Sequence, residues 1–379
     1  MYFGAVVAMS CVGLLISIYL SISHYRVYTD IGYQSFCALS KSINCDTVSQ
    51  SPYAILWNLP VAVWGVCGYG FYLILTLLSA LARGEHRRVW TLCLAVALIF
   101  STLSLIFAAV SAFQIGSYCI LCVATYAVNL MLVFLTWIIR RRFNAEKIYP
   151  AFSNDLRFLW EKRRASLPAF GLFGIGFVLT QMMFPAYWQL PMPAAPMKAQ
   201  NGMTAEGHPW IGAKHPVLEI IEFADYQCFQ CKKMHYYLRE LVARYPDRIR
   251  LVHRSFPMDH EVNFIVQDPF HIGSGKLSLL SIYAAAVGKF WEINDILYQI
   301  TRTGGAFNLR EIAEATGINA RELAAALKDP VIKKRLETDI RQGMKLGILG
   351  TPSYVINGQV YQGFVPSTLI SAVINAERS

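Results

Sequence analysis

The sequence predicts two unlike parts, an α-helical membrane bundle with five spans followed by an α/β domain. Of the 379 residues 55% are hydrophobic and the mean hydropathy is +0.39, which is too apolar for an ordinary soluble protein. Before residue 190 the apolar residues gather in runs of the roughly 20 residues that a bilayer crossing needs. After residue 200, charged residues and the periodicities of helices and strands return.

Five apolar runs are long enough to cross a membrane. We predict spans at about 3–22, 57–82, 89–112, 119–139 and 167–188. The first run resembles the apolar core of a signal peptide. It has no basic segment before it and no small-residue cleavage site, so we treat it as a retained span.

The basic residues predict the orientation. Two loops, after the second and the fourth span, hold eleven of them: Arg83, Arg87, Arg88, Arg140, Arg141, Arg142, Lys147, Arg157, Lys162, Arg163 and Arg164. The loop after span one holds only Arg26 and Lys41. The positive-inside rule places the two basic loops in the cytoplasm, and an odd number of spans then places the C-terminal domain on the outer face.

The same loops account for most of the net charge of +10. They contain four acidic residues, Glu85, Glu146, Asp155 and Glu161, and still contribute +7. Membrane topology therefore explains the basic character, and the sequence predicts no nucleic-acid partner.

Six of the nine cysteines form three spaced pairs, all on the predicted outer face, where disulfides persist. The pairs are Cys37-x7-Cys45, Cys119-Ile-Leu-Cys122 and Cys228-Phe-Gln-Cys231. Because thiols attack disulfides directly, three pairs that meet in turn would pass two electrons along the chain. The others, Cys11, Cys67 and Cys93, lie in apolar runs, where cysteine is usually an inert small hydrophobe.

Cys119 and Cys122 lie at the start of an apolar helix, where their spacing places both thiols on one face. The helix N-terminus favours the reactive thiolate. Tyr126, one turn further, would donate a hydrogen bond to a carbonyl within the bilayer, which favours a lipid-soluble quinone as the acceptor of two electrons. A structural disulfide or two buried thiols remain alternatives. A zinc site is disfavoured, because it needs four ligands and no histidine is near.

This half resembles the vitamin K epoxide reductase (VKOR) family over residues 1–140. The resemblance rests on Cys37-x7-Cys45, on Ser51 six residues later, and on Cys119-Ile-Leu-Cys122-Val-Ala-Thr-Tyr126. It implies a four-helix membrane core around a quinone, either ubiquinone or menaquinone. A basic cytoplasmic loop and a linking fifth span would then occupy 141–189.

The resemblance also implies roles for the cysteines. Cys122 would face the quinone, Cys119 would exchange with Cys45, and Cys37 would meet an external thiol. From the residues alone, the 37/45 pair in its polar loop is equally well a mobile carrier or a simple loop staple.

Two further residues inherit roles at the quinone. Ser51 would place a hydroxyl near it, although a loop-capping role is the alternative. Tyr126 would hydrogen-bond the quinone, and the alternative is an anchor at the membrane interface.

The soluble half begins with a strand over 217–224, followed by Cys228-Phe-Gln-Cys231, a helix over 232–245 and a second strand over 248–255. This order places Cys228 at a helix N-terminus as the attacking thiol and Cys231 one turn inward as the resolving thiol. Helices over 277–348 follow, then a strand after Thr351-Pro352 that leaves through Asn357-Gly358. A hairpin partner over 361–364 and a helix over 366–376 complete the domain.

This half resembles the DsbA-like branch of the thioredoxin superfamily with a helical insertion, a domain that we place at 208–379 after a tether at 190–207. The resemblance implies a cis bond between Thr351 and Pro352 beside the reactive thiols. It also implies that Glu222 is a buried acid that carries protons to the inner thiol, whereas a solvated strand-edge glutamate is the alternative. Between the two cysteines, Phe229-Gln230 lacks the histidine typical of strongly oxidising members, so the redox potential stays open.

Together these features predict a disulfide-forming dithiol:quinone oxidoreductase. The soluble domain would oxidise exported proteins, and the multi-pass membrane domain would reoxidise it from the periplasmic side of a bacterial inner membrane. One alternative is a quinone or vitamin K reductase that draws electrons from the soluble domain. Another is a disulfide isomerase, and a third is a non-enzymatic anchor whose cysteines are staples.

Overall fold

The computed structural model describes residues 2–39, 42–82, 84, 88–143, 147–190, 199–300 and 307–375. The chain divides into two compact units, Met1–Gln189 and Leu190–Ser379. Among the charged loop residues named above, Lys41, Arg83, Glu85, Arg87 and Glu146 lie outside the described residues.

The first unit is helical. Its helices are α1 (Tyr2–Thr29), α2 (Cys45–Gln50), α3 (Val61–Ser79), α4 (Trp90–Val110, continued by a π-helical turn to Ile115), α5 (Ile120–Phe143), α6 (Ile148–Glu161) and α7 (Arg163–Met183). All but α2 and α6 are long and apolar enough to cross a membrane, which confirms the five predicted spans. Helices α1, α3, α4 and α5 enclose a core with Tyr72, Trp90 and Leu132 at its centre.

The second span starts later than predicted, at Val61 rather than 57. A short hairpin precedes it, formed by β1 (Ile55–Leu56) and β2 (Leu59–Pro60). Its turn residues Trp57 and Asn58 have positive φ angles of 47° and 59°, whereas residues in a right-handed α-helix have negative φ angles. The mostly apolar segment 55–60 therefore lengthens the hydrophobic run without belonging to the helix.

Helix α6 occupies the predicted basic loop and caps another helix. Its Asp155 is buried, and the carboxylate accepts hydrogen bonds from the backbone N–H groups of Thr91 and Leu92, both at 2.9 Å. These N–H groups lie in the first turn of α4, where no partner exists within the helix. Asp155 thus supplies from a distant segment the cap that the local sequence lacks.

Asp155→Ala should therefore loosen the start of α4. We expect a loss of about 1–2 kcal/mol, the usual cost of a missing N-cap acceptor. Hydrogen exchange read by mass spectrometry should show faster exchange at Thr91 and Leu92 than in the parent protein. Arg157→Ala, on the same helix but exposed, is the control, and equal exchange in both variants would contradict the capping role.

The second unit holds a six-stranded sheet of order β3-β4-β6-β5-β7-β8. The strands are β3 (Gln200–Met203), β4 (Pro209–Gly212), β5 (Leu218–Ala224), β6 (Ile249–Ser255), β7 (Ser353–Ile356) and β8 (Gln359–Gln362). Strands β5 and β6 are parallel and every other neighbouring pair is antiparallel.

The described residues of this unit also form seven helices: α8 (Phe229–Arg244), α9 (Ser274–Ala286), α10 (Phe290–Ile300), α11 (Leu309–Thr316), α12 (Ala320–Ala326), α13 (Pro330–Lys345) and α14 (Ser367–Asn375). The α/β arrangement with a helical insertion is as the sequence predicts. Phe223, Phe256 and Tyr298 lie fully buried in its core.

One boundary needs correction. The stretch 190–207 was predicted to be a tether, but the sheet begins inside it, because Gln200–Met203 pairs antiparallel with Pro209–Gly212. Leu190 also packs against the core of the second unit. The positions 191–198 of the predicted tether lie outside the described residues.

Candidate active site

The loop between α1 and α3 carries a closed cysteine pair. Cys37 and Cys45 are joined by a disulfide with their Cα atoms 5.6 Å apart. Cys45 is the first residue of α2, and the Asn44 side chain caps that helix by accepting from the N–H groups of Asp46 and Thr47. Cys37 is only 1% exposed, so its sulfur lies beneath the loop rather than at the surface.

A backbone bridge joins this loop to the segment before α5. The Asn44 N–H donates to the Tyr118 carbonyl at 2.9 Å, and the Tyr118 N–H donates to the Ser42 carbonyl at 2.8 Å. The bridge ends one residue before Cys45 and one residue before Cys119. It therefore holds Cys45 and Cys119 side by side, in a single buried cluster with Cys37.

Cys119 and Cys122 mark the start of α5, as predicted. The backbone N–H of Cys122 donates to the Cys119 sulfur at 3.2 Å, so the first turn of the helix is closed by a thiol. Cys122 packs against the same buried cluster. The cysteines of both pairs therefore lie in one cluster where the loop meets the start of α5.

These residues open onto a cavity of about 640 Å³ inside the helical unit. Its walls are mostly apolar side chains of the spans. Five of the predicted site residues line it: Cys45, Ser51, Cys119, Cys122 and Tyr126. The structure therefore brings together the residues that the sequence placed at an acceptor site, whereas Cys37 is not among the described residues that line the cavity and is joined to Cys45 by the disulfide.

Ser51 is both a cap and a cavity residue. Its hydroxyl donates to the Val48 carbonyl at 2.8 Å, at the end of α2. This bond is the loop-capping role that the sequence left open. The oxygen keeps its capacity to accept a hydrogen bond from the cavity side.

Two polar groups at the cavity were missed in the sequence. His24 of α1 is 3% exposed, its Nδ1 lies 2.7 Å from the Tyr187 hydroxyl, and its Nε2 is buried without a partner among the described residues. Asn129 of α5 accepts from the Tyr69 hydroxyl at 2.6 Å and donates to Ser104 at 2.9 Å. An ionisable residue inside a span is a functional-site signal, which would have singled out His24.

The soluble unit places its cysteines as predicted. Cys228 is the N-cap of α8, and its sulfur accepts from the Cys231 N–H at 3.3 Å. The Cys228 thiol in turn donates to the Thr351 carbonyl at 3.5 Å, and the Thr351–Pro352 bond is cis, which confirms that prediction. Thr351 and Pro352 thus lie beside the reactive thiol.

The two thiols differ in acidity. A hydrogen bond with Cys231 lowers the pKa of Cys228 below its usual value, burial acts against it, and the positive charge of His271 lowers it further. Burial, together with the Cys228 thiolate, raises the pKa of Cys231 well above its usual value. Cys228 therefore has the more acidic thiol of the pair, which is the property expected of an attacking cysteine.

Glu222 of β5 is 1% exposed, so it is not a solvated strand-edge residue. One carboxylate oxygen lies 3.3 Å from His235 Nδ1 and 2.8 Å from His253 Nδ1. Burial raises the pKa of Glu222, but the two histidines outweigh it and hold the pKa at about 2. Glu222 is therefore a carboxylate at working pH.

The sequence analysis did not single out the buried residues that surround Glu222. His235 lies one turn after Cys231 on α8, and its Nε2 is 3.0 Å from Asp295 of α10. Asp295 also accepts from the Arg239 guanidinium at 2.7 Å. Burial lowers the pKa of His235, but Glu222 and Asp295 outweigh it and raise the pKa above its usual value.

A second histidine–carboxylate pair lies at the other end of the reactive turn. His271 Nδ1 is 3.0 Å from the Asp225 carboxylate, and Asp225 is the residue that follows β5, three before Cys228. Both side chains are at most 9% exposed. Neither residue was singled out in the sequence, because 46 positions separate them.

Two family models match the chain. The model described as "Vitamin K epoxide reductase family" matches residues 5–137, and the "DSBA-like thioredoxin domain" model matches residues 219–373. Both models describe redox families, and this agrees with the thiol–disulfide chemistry that the cysteine pairs predict.

The chain is also similar to two curated proteins. The Na(+)/H(+) antiporter NhaA of Herminiimonas arsenicoxydans is 24% identical over 168 residues, which are 44% of this chain and 25% of the relative. NhaA 3 of Salinispora tropica is 23% identical over 163 residues, which are 43% of this chain and 24% of that relative. The chain therefore spans about a quarter of the length of these relatives.

Among solved structures, the chain is similar to a thioredoxin-like oxidoreductase from Silicibacter pomeroyi DSS-3, with 22% identity and a TM-score of 0.38; the match covers 46% of this chain and 94% of that chain. It is also similar to oxidised BdbD from Bacillus subtilis, with 17% identity and a TM-score of 0.37; this match covers 48% of this chain and 100% of that chain. The chain therefore carries a domain of the vitamin K epoxide reductase family at residues 5–137 and a DsbA-like thioredoxin domain at residues 219–373.

Proposed function

We propose that this chain is a fused disulfide-generating enzyme, in which the soluble domain oxidises exported protein thiols and the membrane domain passes the electrons to a quinone. The observation that carries the proposal is the bridge between Asn44 and Tyr118. It aligns Cys45 with Cys119 at the mouth of a cavity that Cys122 also lines. If the two cysteine pairs were only structural disulfides, they would not need to lie together at a cavity.

Each transfer is a pair of thiolate attacks through a mixed disulfide. A client dithiol reduces the Cys228–Cys231 disulfide and leaves with a disulfide of its own. The resulting dithiol reduces Cys37–Cys45, and that pair then reduces Cys119–Cys122. Two electrons move at every step, and each thiol that becomes part of a disulfide gives up one proton.

The cavity fits a quinone on three grounds. Its walls are apolar, it has the volume of a typical small-molecule site, and a few polar groups converge in it. Tyr126 and Ser51 bring hydroxyls, and the buried Nε2 of His24 has no partner among the described residues. A quinone bound there would accept the two electrons and two protons that Cys119 and Cys122 release on forming their disulfide.

The Glu222 cluster handles the proton of the inner thiol. Cys231 must become a thiolate before it resolves a mixed disulfide, and its raised pKa makes this step unfavourable without a base. Because Glu222 stays ionised, we assign the proton to the neutral form of His235, which lies one helical turn from Cys231. Glu222 then acts by holding that imidazole in place and stabilising its charged form.

The orientation completes the proposal. The basic loops after the second and the fourth span favour a cytoplasmic location, which places the three cysteine pairs on the outer, periplasmic side of a bacterial inner membrane. Joining the two domains in one chain raises the effective concentration of each for the other. Cys37 is buried, so the domain that reduces it must first open the loop.

Cys228→Ala tests the order of the relay. We expect oxidation of external protein thiols to stop, because the client-facing nucleophile is gone. Quinone reduction by a small dithiol should continue, because that route enters at Cys37–Cys45. Both activities are measured on the full chain in detergent or vesicles, with quinone reduction followed by absorbance.

Cys11→Ala is the matched control, since Cys11 is an exposed free cysteine of α1 and should change neither activity. Unchanged protein oxidation in Cys228→Ala would overturn the proposed order. The redox state of Cys228 in cells indicates the direction in which electrons flow. A Cys228–Cys231 pair that is mostly oxidised agrees with the proposed function. A mostly reduced pair would instead indicate an isomerase, or a reductase that feeds the quinone.

A further inference from the structure

The dipeptide between the reactive cysteines contains no histidine, yet the fold brings one to the same turn from elsewhere. We propose that His271, held by Asp225, supplies the positive charge that stabilises the Cys228 thiolate and so makes this domain a stronger oxidant. The inference rests on the proposed oxidase function, since it names the group that sets the strength of that oxidant. His271 comes from the loop between β6 and α9.

Asp225 is the anchor of this arrangement. It is fully buried, and one of its carboxylate oxygens, Oδ2, lies 3.0 Å from His271 Nδ1. The same oxygen accepts from the Ser274 hydroxyl at 2.9 Å and from the Met258 N–H at 2.6 Å. The other oxygen accepts from the Gln227 N–H at 2.7 Å. With four donors around it, this carboxylate stays in one orientation and fixes the imidazole that it holds.

The loop and the reactive turn form one hydrogen-bonded unit. The Cys228 N–H donates to the Asp225 carbonyl at 3.2 Å, and the Gln227 side chain donates to the Ile272 carbonyl at 2.8 Å. The residue just before Cys228 is therefore bonded to the residue just after His271. This pairing keeps His271 beside the turn, and the Phe270 ring stacks on the imidazole at 4.0 Å between centroids.

The charges around the imidazole favour its protonated form. Burial lowers the pKa of His271, but Asp225 outweighs it, the Cys228 thiolate and Asp259 act in the same direction, and the pKa lies above its usual value. At Cys228, the hydrogen bond with Cys231 lowers the pKa most and burial opposes it. His271 lowers it further, and Asp225 partly offsets that effect. The imidazolium thus faces a thiolate and two carboxylates, Asp225 and Asp259.

The sign of the effect on the redox couple follows from linkage. Only the reduced form carries a thiolate at Cys228, so a neighbouring cation stabilises the reduced form and leaves the disulfide almost unaffected. A depressed thiol pKa contributes stability to the reduced protein above the pKa of the unfolded thiol, and this stability is lost as the pH falls through the folded-state pKa. A stabilised reduced form means a more oxidising disulfide.

His271→Asn tests the proposal. His271 has a φ of 43°, a left-handed conformation that asparagine tolerates better than most residues, so the loop should keep its shape while the charge is lost. We expect the pKa of Cys228 to rise. We expect the equilibrium constant for reduction by glutathione to fall about tenfold, which is about 30 mV towards a more reducing couple.

Both quantities are measured on the full chain, with Cys37 and Cys45 replaced by Ala so that the soluble pair equilibrates alone. Alkylation of Cys228 against pH gives its acidity, and mass spectrometry of the Cys228–Cys231 peptide in glutathione buffers gives the equilibrium constant. Thermal unfolding of each variant checks that the fold is intact. None of these readouts depends on transfer to the membrane domain.

Two variants complete the test. His260→Asn removes a histidine from the same loop that is not among the charges acting on Cys228, and it should leave both quantities unchanged. His271→Lys restores a cation and should recover part of the loss. If His271→Asn matches the parent, or His260→Asn shifts the couple equally, the proposal is wrong. The order of the relay is judged separately, by Cys228→Ala.

Discussion

Replacing Asp295 with Asn should lower the free energy of unfolding of the soluble domain by about 3–5 kcal/mol. Asp295 accepts from Arg239 at 2.7 Å and lies 3.0 Å from His235, and the Arg239 side chain is 3% exposed. An amide in the same place carries no charge. The Arg239 guanidinium would then remain buried without its carboxylate partner, and the His235 imidazolium would keep only Glu222, which costs far more than the loss of two hydrogen bonds.

The measurement is pulse proteolysis of the full chain in a series of urea concentrations, with cleavage sites in the soluble domain read by mass spectrometry. Glu240→Gln is the matched control, because Glu240 binds Arg244 on the same helix at 3.0 Å with both side chains more than 60% exposed. Exposed pairs contribute about 0–1 kcal/mol. Equal effects from the two substitutions would show that burial does not decide the outcome.

The pH dependence supplies a second readout. The pKa of His235 is raised in the folded protein, so its contribution to stability is complete below its unfolded pKa of 6.5. This contribution is lost as the pH rises through the folded-state pKa. Without Asp295 the pKa is raised less, and the decline in stability above pH 6.5 should become smaller. A purely steric effect of the substitution would leave that decline unchanged.

What the sequence could predict here is local. The strand, the cysteine spacing and the following helix identify Cys228 as an N-cap, because a few consecutive residues determine that geometry. The spacing of Cys119 and Cys122 predicts a shared helix turn for the same reason. The apolar runs predict five spans, since length and composition alone decide whether a helix can cross a bilayer.

What the sequence could not predict depends on contacts between distant segments. His24 meets Tyr187 across 163 positions, and Arg239 meets Asp295 across 56. No local periodicity marks such pairs, so a histidine in an apolar span or an arginine on an amphipathic helix looks the same with or without its partner. The role expected of Glu222 changes for this reason. The sequence left open whether Glu222 is buried, and it could not show the two histidines that keep Glu222 ionised, because they come from α8 and β6.

The variant Cys37→Ala/Cys122→Ala should form a disulfide between Cys45 and Cys119 nearly completely under a mild thiol oxidant. Removing Cys37 and Cys122 leaves each remaining thiol without its usual partner. The bridge from Asn44 to Tyr118 holds the two neighbouring cysteines together, so little entropy is lost when the bond closes. The oxidant takes two electrons and each thiol releases one proton. With Cys228 and Cys231 also replaced by Ala, mass spectrometry of the cross-linked peptides identifies the bond.

Cys45→Ala/Cys122→Ala is the control, because it leaves Cys37 and Cys119 instead. Cys37 does not line the cavity, whereas Cys45 and Cys119 both do. We therefore expect bond formation to be much slower in the control than in the first variant. Equal rates would mean that the loop presents either cysteine to α5, and the order in which electrons pass through the loop would then not be set by the bridge. A fast bond in the first variant alone would locate the transfer step at Cys45, since it is the only difference between the two dithiols.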